Sequence, residues 1–197
     1  MTTATRSCNR FEFMVDDAPY DPRAVANLLV SLARQNGRSL SNLALQKLLY
    51  FAHALFLVET KQPLLKGYFE AWKYGPVHPV VYQAFKGAGD RPIDFMARGV
   101  DLGTGAETEL PAPTSPDVYR VLNRIFAAYG GMTPGRLVEV THAKNAPWDF
   151  VVNKNKTGVA FGQRIPDNVI VERFKHHKVP VAPYPIAGEP SEDTPPS

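Results

Sequence analysis

The residues from Ser41 to Glu59 constrain this chain most. Leu45, Leu48, Leu49, Ala52, Leu55 and Phe56 recur at helical spacing and make one apolar face. Leu43, Tyr50, Phe51, Ala54, Leu57 and Val58 fill most of the opposite side. A helix apolar nearly all round must be covered on several sides at once. This segment is therefore expected to be the central helix of its domain, capped by Ser41, with Gln46, Lys47 and His53 as its few polar members. The longest apolar stretch, Leu48–Val58, is far shorter than the about 20 residues that span a bilayer, and it contains His53. No membrane span is expected.

Other helices pack around such a rod. Asp21 caps a first helix with Pro22 at its first position, and Gly37 ends it. Ala24, Val25, Leu28, Leu29, Leu32 and Ala33 are its expected inward face. A third helix starts near Pro79 and runs to Gly87, with Val80, Val81, Ala84 and Phe85 inward. A fourth starts at Ser115-Pro116 and carries Val118, Val121, Leu122, Ile125, Phe126 and Tyr129 at helical spacing before Gly130-Gly131. Thr133-Pro134 opens a fifth, Trp148 and Phe150 a sixth, and Ile165-Pro166-Asp167 a last one through about His177. The aromatic stretch Tyr68, Phe69, Trp72, Tyr74 reads as one short strand before the Gly75-Pro76 turn, and residues 159–161 as another. The expected fold is mainly α: a compact single-domain bundle of six to seven helices around a buried central helix, with a minor β element at most.

The ends differ in composition. Six of the 18 prolines lie between Pro180 and Pro196, beside Glu189, Glu192 and Asp193. Residues 179–197 are expected to be a Pro-rich acidic disordered tail, residues 1–20 an irregular N-terminal segment, and residues 21–178 the helical domain. Within it, residues 97–116 hold three glycines and three prolines and read as a long loop. The chain is 197 residues long with a net charge of +3. Its single cysteine, Cys8, excludes an internal disulfide, and no signal-peptide core precedes the first helix. A cytoplasmic setting is expected.

The residues offer little chemistry. No phosphate-binding glycine loop is present, and no histidine pair has the spacing of a helical zinc site, so no metal and no cofactor is expected. His53 reads as a core histidine bonded to a carbonyl, and His142 as a capping or buried one. His176 and His177, between Lys175 and Lys178, read as a solvated helix end. Cys8 lacks a neighbouring base, and no catalytic residue is assigned. From His142 to Lys178 seven basic residues face three acidic ones, a net of +4. That segment is the basis of an alternative reading, a nucleic-acid-binding autoregulator. A hydrolase centred on His53 or His142 is a third.

Three motifs in order carry a resemblance. They are Leu45-Gln46-Lys47-Leu48-Leu49-Tyr50; then Ala71-Trp72, Gly75-Pro76-Val77 and Tyr82; then Tyr129-Gly130, Leu137, Thr141-His142 and Pro147-Trp148. Together with the last helix from Ile165-Pro166, they resemble the Panacea antitoxin domain family, SocA-like and GepA-like, over about residues 21–177. Residues 97–116 and the Pro-rich tail fall outside the shared pattern.

The resemblance implies a non-enzymatic helical domain that neutralises a cognate protein toxin, encoded beside it, by direct contact. The SocA type acts as a proteolytic adaptor that delivers its toxin to the ClpXP protease. Polar-tipped aromatic residues suit such an interface. The candidate partner-binding residues are Tyr50, Trp72, Tyr74 and Tyr82, with Lys47 and His78 at the rim. The remaining motif residues, Leu45, Gln46, Leu48, Leu49, Gly75, Pro76, Val77, Thr141, His142, Pro147 and Trp148, read as mostly structural. Nucleic acid is not the expected partner.

Overall fold

In the computed structural model, residues 18–154 and 162–177 are described. The expected N-terminal segment up to residue 17, the tail from residue 178 and the expected strand at 159–161 lie outside them.

Proline sets the helix starts. Helices α1 (Pro22–Gln35), α3 (Pro79–Phe85), α4 (Pro116–Tyr129), α5 (Pro134–Thr141) and α6 (Pro147–Lys154) all open on one. A first-turn N–H has no intrahelical partner, so its absence costs nothing there. Asp21 Oδ1 accepts from the Arg23 N–H at 2.8 Å, and Thr133 caps Arg136 in the same way. Helix α2 (Asn42–Thr60) is capped by Ser41, whose Oγ accepts from the Ala44 N–H at 3.3 Å. It ends at Lys61 in the left-handed region, φ 63°. Helix α7 (Asp167–Arg173) runs into a 3₁₀ turn, Phe174–His177. The third helix is shorter than expected, and a 3₁₀ turn (Lys86–Ala88) finishes it.

Helix α2 is the axis of the molecule. It packs against α1, α3, α4, α5 and α7, which accounts for its lack of a polar face. Leu45, Leu48, Leu49, Tyr50, Phe51, Ala52 and Ala54 are all fully buried. Among the described residues it is the one helix long and apolar enough to cross a membrane, yet 72% of that window is buried by the rest of the chain. Phe51 stacks on Tyr129 of α4 with centroids 4.5 Å apart. On α1 the buried face is Ala24, Val25, Ala26, Leu29, Val30 and Ala33, while Leu28 and Leu32 are only half-buried. The face is thus turned somewhat from the expected one.

The β content exceeds the single strand expected near Tyr68–Tyr74. Strands β1 (Phe69–Trp72), β2 (Gly75–Val77) and β5 (Gln163–Ile165) form an antiparallel sheet in the order β2-β1-β5. Its third strand comes from far along the chain, so local pattern could not pair it. The expected loop 97–116 contains a small hairpin, β3 (Gly99–Val100) with β4 (Glu107–Thr108). Asp101 Oδ1 accepts from the Gly103 and Thr104 N–H groups at its tip. Tyr20 is tied down too: its N–H donates to Leu64 O and its carbonyl accepts from Lys66 N, both at 2.8 Å.

Candidate functional site

The first and second motifs meet along the outer edge of β2. Strand β2 ends its sheet, so one side of it faces no other strand. Side chains from α2 take that place. Lys47 Nζ donates to Pro76 O at 2.9 Å, and the His78 N–H donates to Gln46 Oε1 at 2.9 Å. Gln46 is held in turn by donating to Asn42 Oδ1 at 3.2 Å. Pro76 has no N–H to leave unpaired. Gln46, Lys47 and the Gly75-Pro76-Val77-His78 segment together seal a sheet edge whose backbone groups would otherwise be buried without partners.

The seal is tight. Gly75 has φ +93°, in the left-handed region, and faces Trp72 across the hairpin. A Cβ placed there would lie 2.5 Å from Thr141 Oγ1 and 3.2 Å from Lys47 Cε. Thr141 is itself fixed by donating to Val138 O at 2.8 Å. Lys47 is fully buried, and no carboxylate pairs with it among the described residues. Burial pushes its amine down to about 7.

Above this seal lies a ledge of aromatic rings. Trp148 Nε1, on α6, donates to Trp72 O at 2.9 Å and so clamps α6 to the hairpin. His142, the residue that caps α5, stacks on Trp148 at 3.7 Å with planes 11° apart. Burial, with the Lys47 charge adding to it, lowers the His142 pKa. Trp72 Nε1 donates to Glu70 Oε2 at 2.8 Å, and its ring meets Tyr82 of α3 edge-on at 4.8 Å. Trp72, Tyr82, His142 and Trp148 are half-buried. Tyr74, at the hairpin tip, is 56% exposed, with Lys73 Nζ 5.3 Å from its ring.

Three candidate contact residues do not reach the surface. Lys47 and His78, expected at the rim, and Tyr50, expected as an anchor, are buried. The hydrogen bonds they make are internal: Lys47 and the His78 backbone belong to the β2 edge, and His78 Nε2 meets Lys66 O at 3.0 Å. Tyr50 lies 3.2 Å by its hydroxyl from His177 Nε2. His177 corrects a second expectation. It is buried rather than solvated, because its Nδ1 meets Val140 O at 3.1 Å and its ring packs edge-on against Tyr50 and Phe51. Burial pushes its pKa down to about 4. His53 is a core histidine as expected, but its Nε2 faces the Asp167 carboxylate at 3.3 Å instead of a carbonyl. Trp72, Tyr74 and Tyr82 remain at the surface, joined by Trp148 and His142, whose motif had read as structural.

No group of three metal-ligating side chains occurs among the described residues. A surface cavity between Gly87 and Phe95, lined also by Arg91 and Asp94, shares no residue with the ledge. Two basic residues of the C-terminal third lie over rings of the chain itself: Arg164 over Tyr68 at 3.8 Å and Arg173 over Phe150 at 3.6 Å.

Comparison with known proteins adds identity to this geometry. Residues 45–149 match the family model described as Antitoxin SocA-like, Panacea domain. That span begins at the β2 seal on α2 and ends just past Trp148. Antitoxin SocA from Caulobacter vibrioides (strain NA1000 / CB15N) is 44% identical over 182 residues, which cover 92% of this chain and 97% of that protein. No solved structure matches significantly.

Proposed function

Because the chain belongs to the SocA-like Panacea antitoxin family, we propose that it is an antitoxin that neutralises a cognate protein toxin by binding it. The toxin's docking surface is the ledge of Trp72, Tyr74, Tyr82, His142 and Trp148. The observation that carries this assignment is the exposed Tyr74 beside half-buried rings on a rigid base. Rings held in place lose little entropy on binding, and such residues tend to supply most of an interface's energy. An interface of about 800 Å² per partner, the size of a stable complex, would extend beyond the ledge itself. The role is one of contact and needs no reaction.

The family resemblance extends the proposal by one step, delivery of the bound toxin to the ClpXP protease. One experiment tests both. The chain is co-expressed with the product of the neighbouring gene, and complex formation is scored with rescue of growth. A stable complex with rescue is expected. The absence of both complex and rescue would overturn the antitoxin reading. Following toxin levels after synthesis is stopped, with and without ClpXP, then separates the two modes: loss of toxin that needs both antitoxin and protease means delivery, and stable toxin in the complex means blocking alone.

A further inference from the structure

We propose that the chain's own C-terminal segment, residues 178–197, docks on the aromatic ledge and competes there with the partner. The docking stands on its own; the competition rests on the partner assignment above.

The first argument is position. The described chain ends at His177, whose Nδ1 lies 3.1 Å from Val140 O on α5. Val140 is two residues from His142, which stacks on Trp148. Twenty residues follow His177 in the sequence. In polyproline II geometry they would cover about 60 Å, several times the step from Val140 to the ledge.

The second argument is the chemistry of the segment, KVPVAPYPIAGEPSEDTPPS. Pro180 and Pro183 are three residues apart, and Tyr184 and Pro185 follow directly. Polyproline II has about three residues per turn, so Pro180 and Pro183 would share one face. Such segments bind surfaces lined with aromatic rings, because proline has little backbone freedom left to lose. The ledge supplies four rings: Trp72 edge-on to Tyr82, and Trp148 stacked with His142.

Charge is the third argument. The segment carries Glu189, Glu192 and Asp193 against Lys178 alone. The ledge is flanked by Lys73 at the hairpin tip and Lys144 in the α5–α6 turn. Neither makes an ion pair among the described residues. Of the carboxylates near them, Glu139 is paired with Arg136, whereas Glu70 and Asp149 accept only from neutral donors and keep their charge. A proline-rich strand therefore matches the rings in shape, and Lys73 and Lys144 offer its carboxylates two cations outside any ion pair among the described residues.

The chain has two tryptophans, and both belong to the ledge. Their indole N–H signals in a ¹⁵N spectrum of the full chain read the ledge directly. A spin label on Ile186→Cys, in a Cys8→Ser background, should broaden both signals, and chemical reduction of the label should restore them. Adding Pro180→Ala, Pro183→Ala and Tyr184→Ala should remove most of the broadening, and so should Tyr74→Ala, which alters an exposed side chain. Unbroadened indoles in the labelled protein would overturn the docking. Broadening that arises only when labelled ¹⁴N chains are mixed with unlabelled ¹⁵N chains would also overturn it, in favour of a second copy as the occupant. With docking established, the triple variant should bind the toxin severalfold more tightly. Unchanged affinity would overturn the competition and leave the docking in place. Loss of docking with toxin binding still dependent on Tyr74 would remove this proposal and spare the partner assignment.

Discussion

Lys47 and Pro76, 29 residues apart in the chain, meet inside the protein at 2.9 Å, where the lysine amine takes the place of a strand at the sheet edge. The bond makes a charged residue type part of the core, and it gives stability a dependence on pH. Below about pH 7 the folded and unfolded chains both hold the proton, and the full cost of a buried ammonium is present. Above that value the folded chain releases it, while the unfolded chain keeps it up to the ordinary lysine value near 10.5. The unfolded state then binds more protons, so stability rises with pH between those limits, by at most about 1.4 kcal/mol per pH unit. Lys47→Met lacks this slope. Denaturant titrations should show the wild-type advantage over Lys47→Met growing from pH 7 to pH 9; parallel curves would contradict the assignment.

Gly75→Ala should destabilise the chain by at least about 2 kcal/mol. It places a side chain in the left-handed region and drives a methyl group into Thr141 Oγ1. The two terms can be separated. Adding Thr141→Ala removes the closest clash and keeps both the strain and the 3.2 Å approach to Lys47, so the double variant should recover part of the loss, with a coupling of about 0.5–3 kcal/mol in a double-mutant cycle.

His177→Phe keeps a ring in the pocket and strands the Tyr50 hydroxyl and the Val140 carbonyl. The expected cost near pH 7 is about 1–3 kcal/mol. The wild-type advantage should fade in acid. The folded His177 titrates at about 4, below its ordinary value of 6.5, so in that window the unfolded chain binds the extra proton. The stability this residue contributes is fully present above pH 6.5 and is lost as pH falls towards 4. Thermal melts of both proteins across this range check it.

Tyr74→Ala separates folding from binding. The side chain stands at an exposed hairpin tip, so stability should stay within about 0.5 kcal/mol of wild type. If the ledge is the partner's docking surface, the same change should weaken partner binding at least about tenfold, or about 1.4 kcal/mol. Thermal melts of the free chain give the first number, and titration calorimetry with the partner gives the second. Full affinity in a folded Tyr74→Ala protein would move the interface elsewhere.

The elements of the fold were largely legible because their signals are local. A cap followed by proline marks a helix start whatever lies across the molecule, and Asp21-Pro22 and Thr133-Pro134 both do so. The sheet was not legible: β5 pairs with β1 from almost a hundred residues away, and its three residues carry no pattern that names a partner. Which candidate residues reach the surface was legible in part. Trp72, Tyr74 and Tyr82 reach the surface, whereas Lys47, Tyr50 and His78 are enclosed. A polar or aromatic tip on a helix gives no sign of which way its partner lies.

The sequence alone determined that α2 would be central, since an apolar surface on all sides can be removed from water only by surrounding it. It also determined where most helices begin, because proline and capping side chains act on their own backbone. Tertiary structure decided what the polar members of that central helix do. The acceptor for Lys47 lies on a strand edge, the donor to Gln46 is a distant backbone N–H, and the partner of Tyr50 is 127 residues away. A hydrogen bond forms only between groups that packing has already brought within about 3 Å, and the chain's remote contacts set that distance.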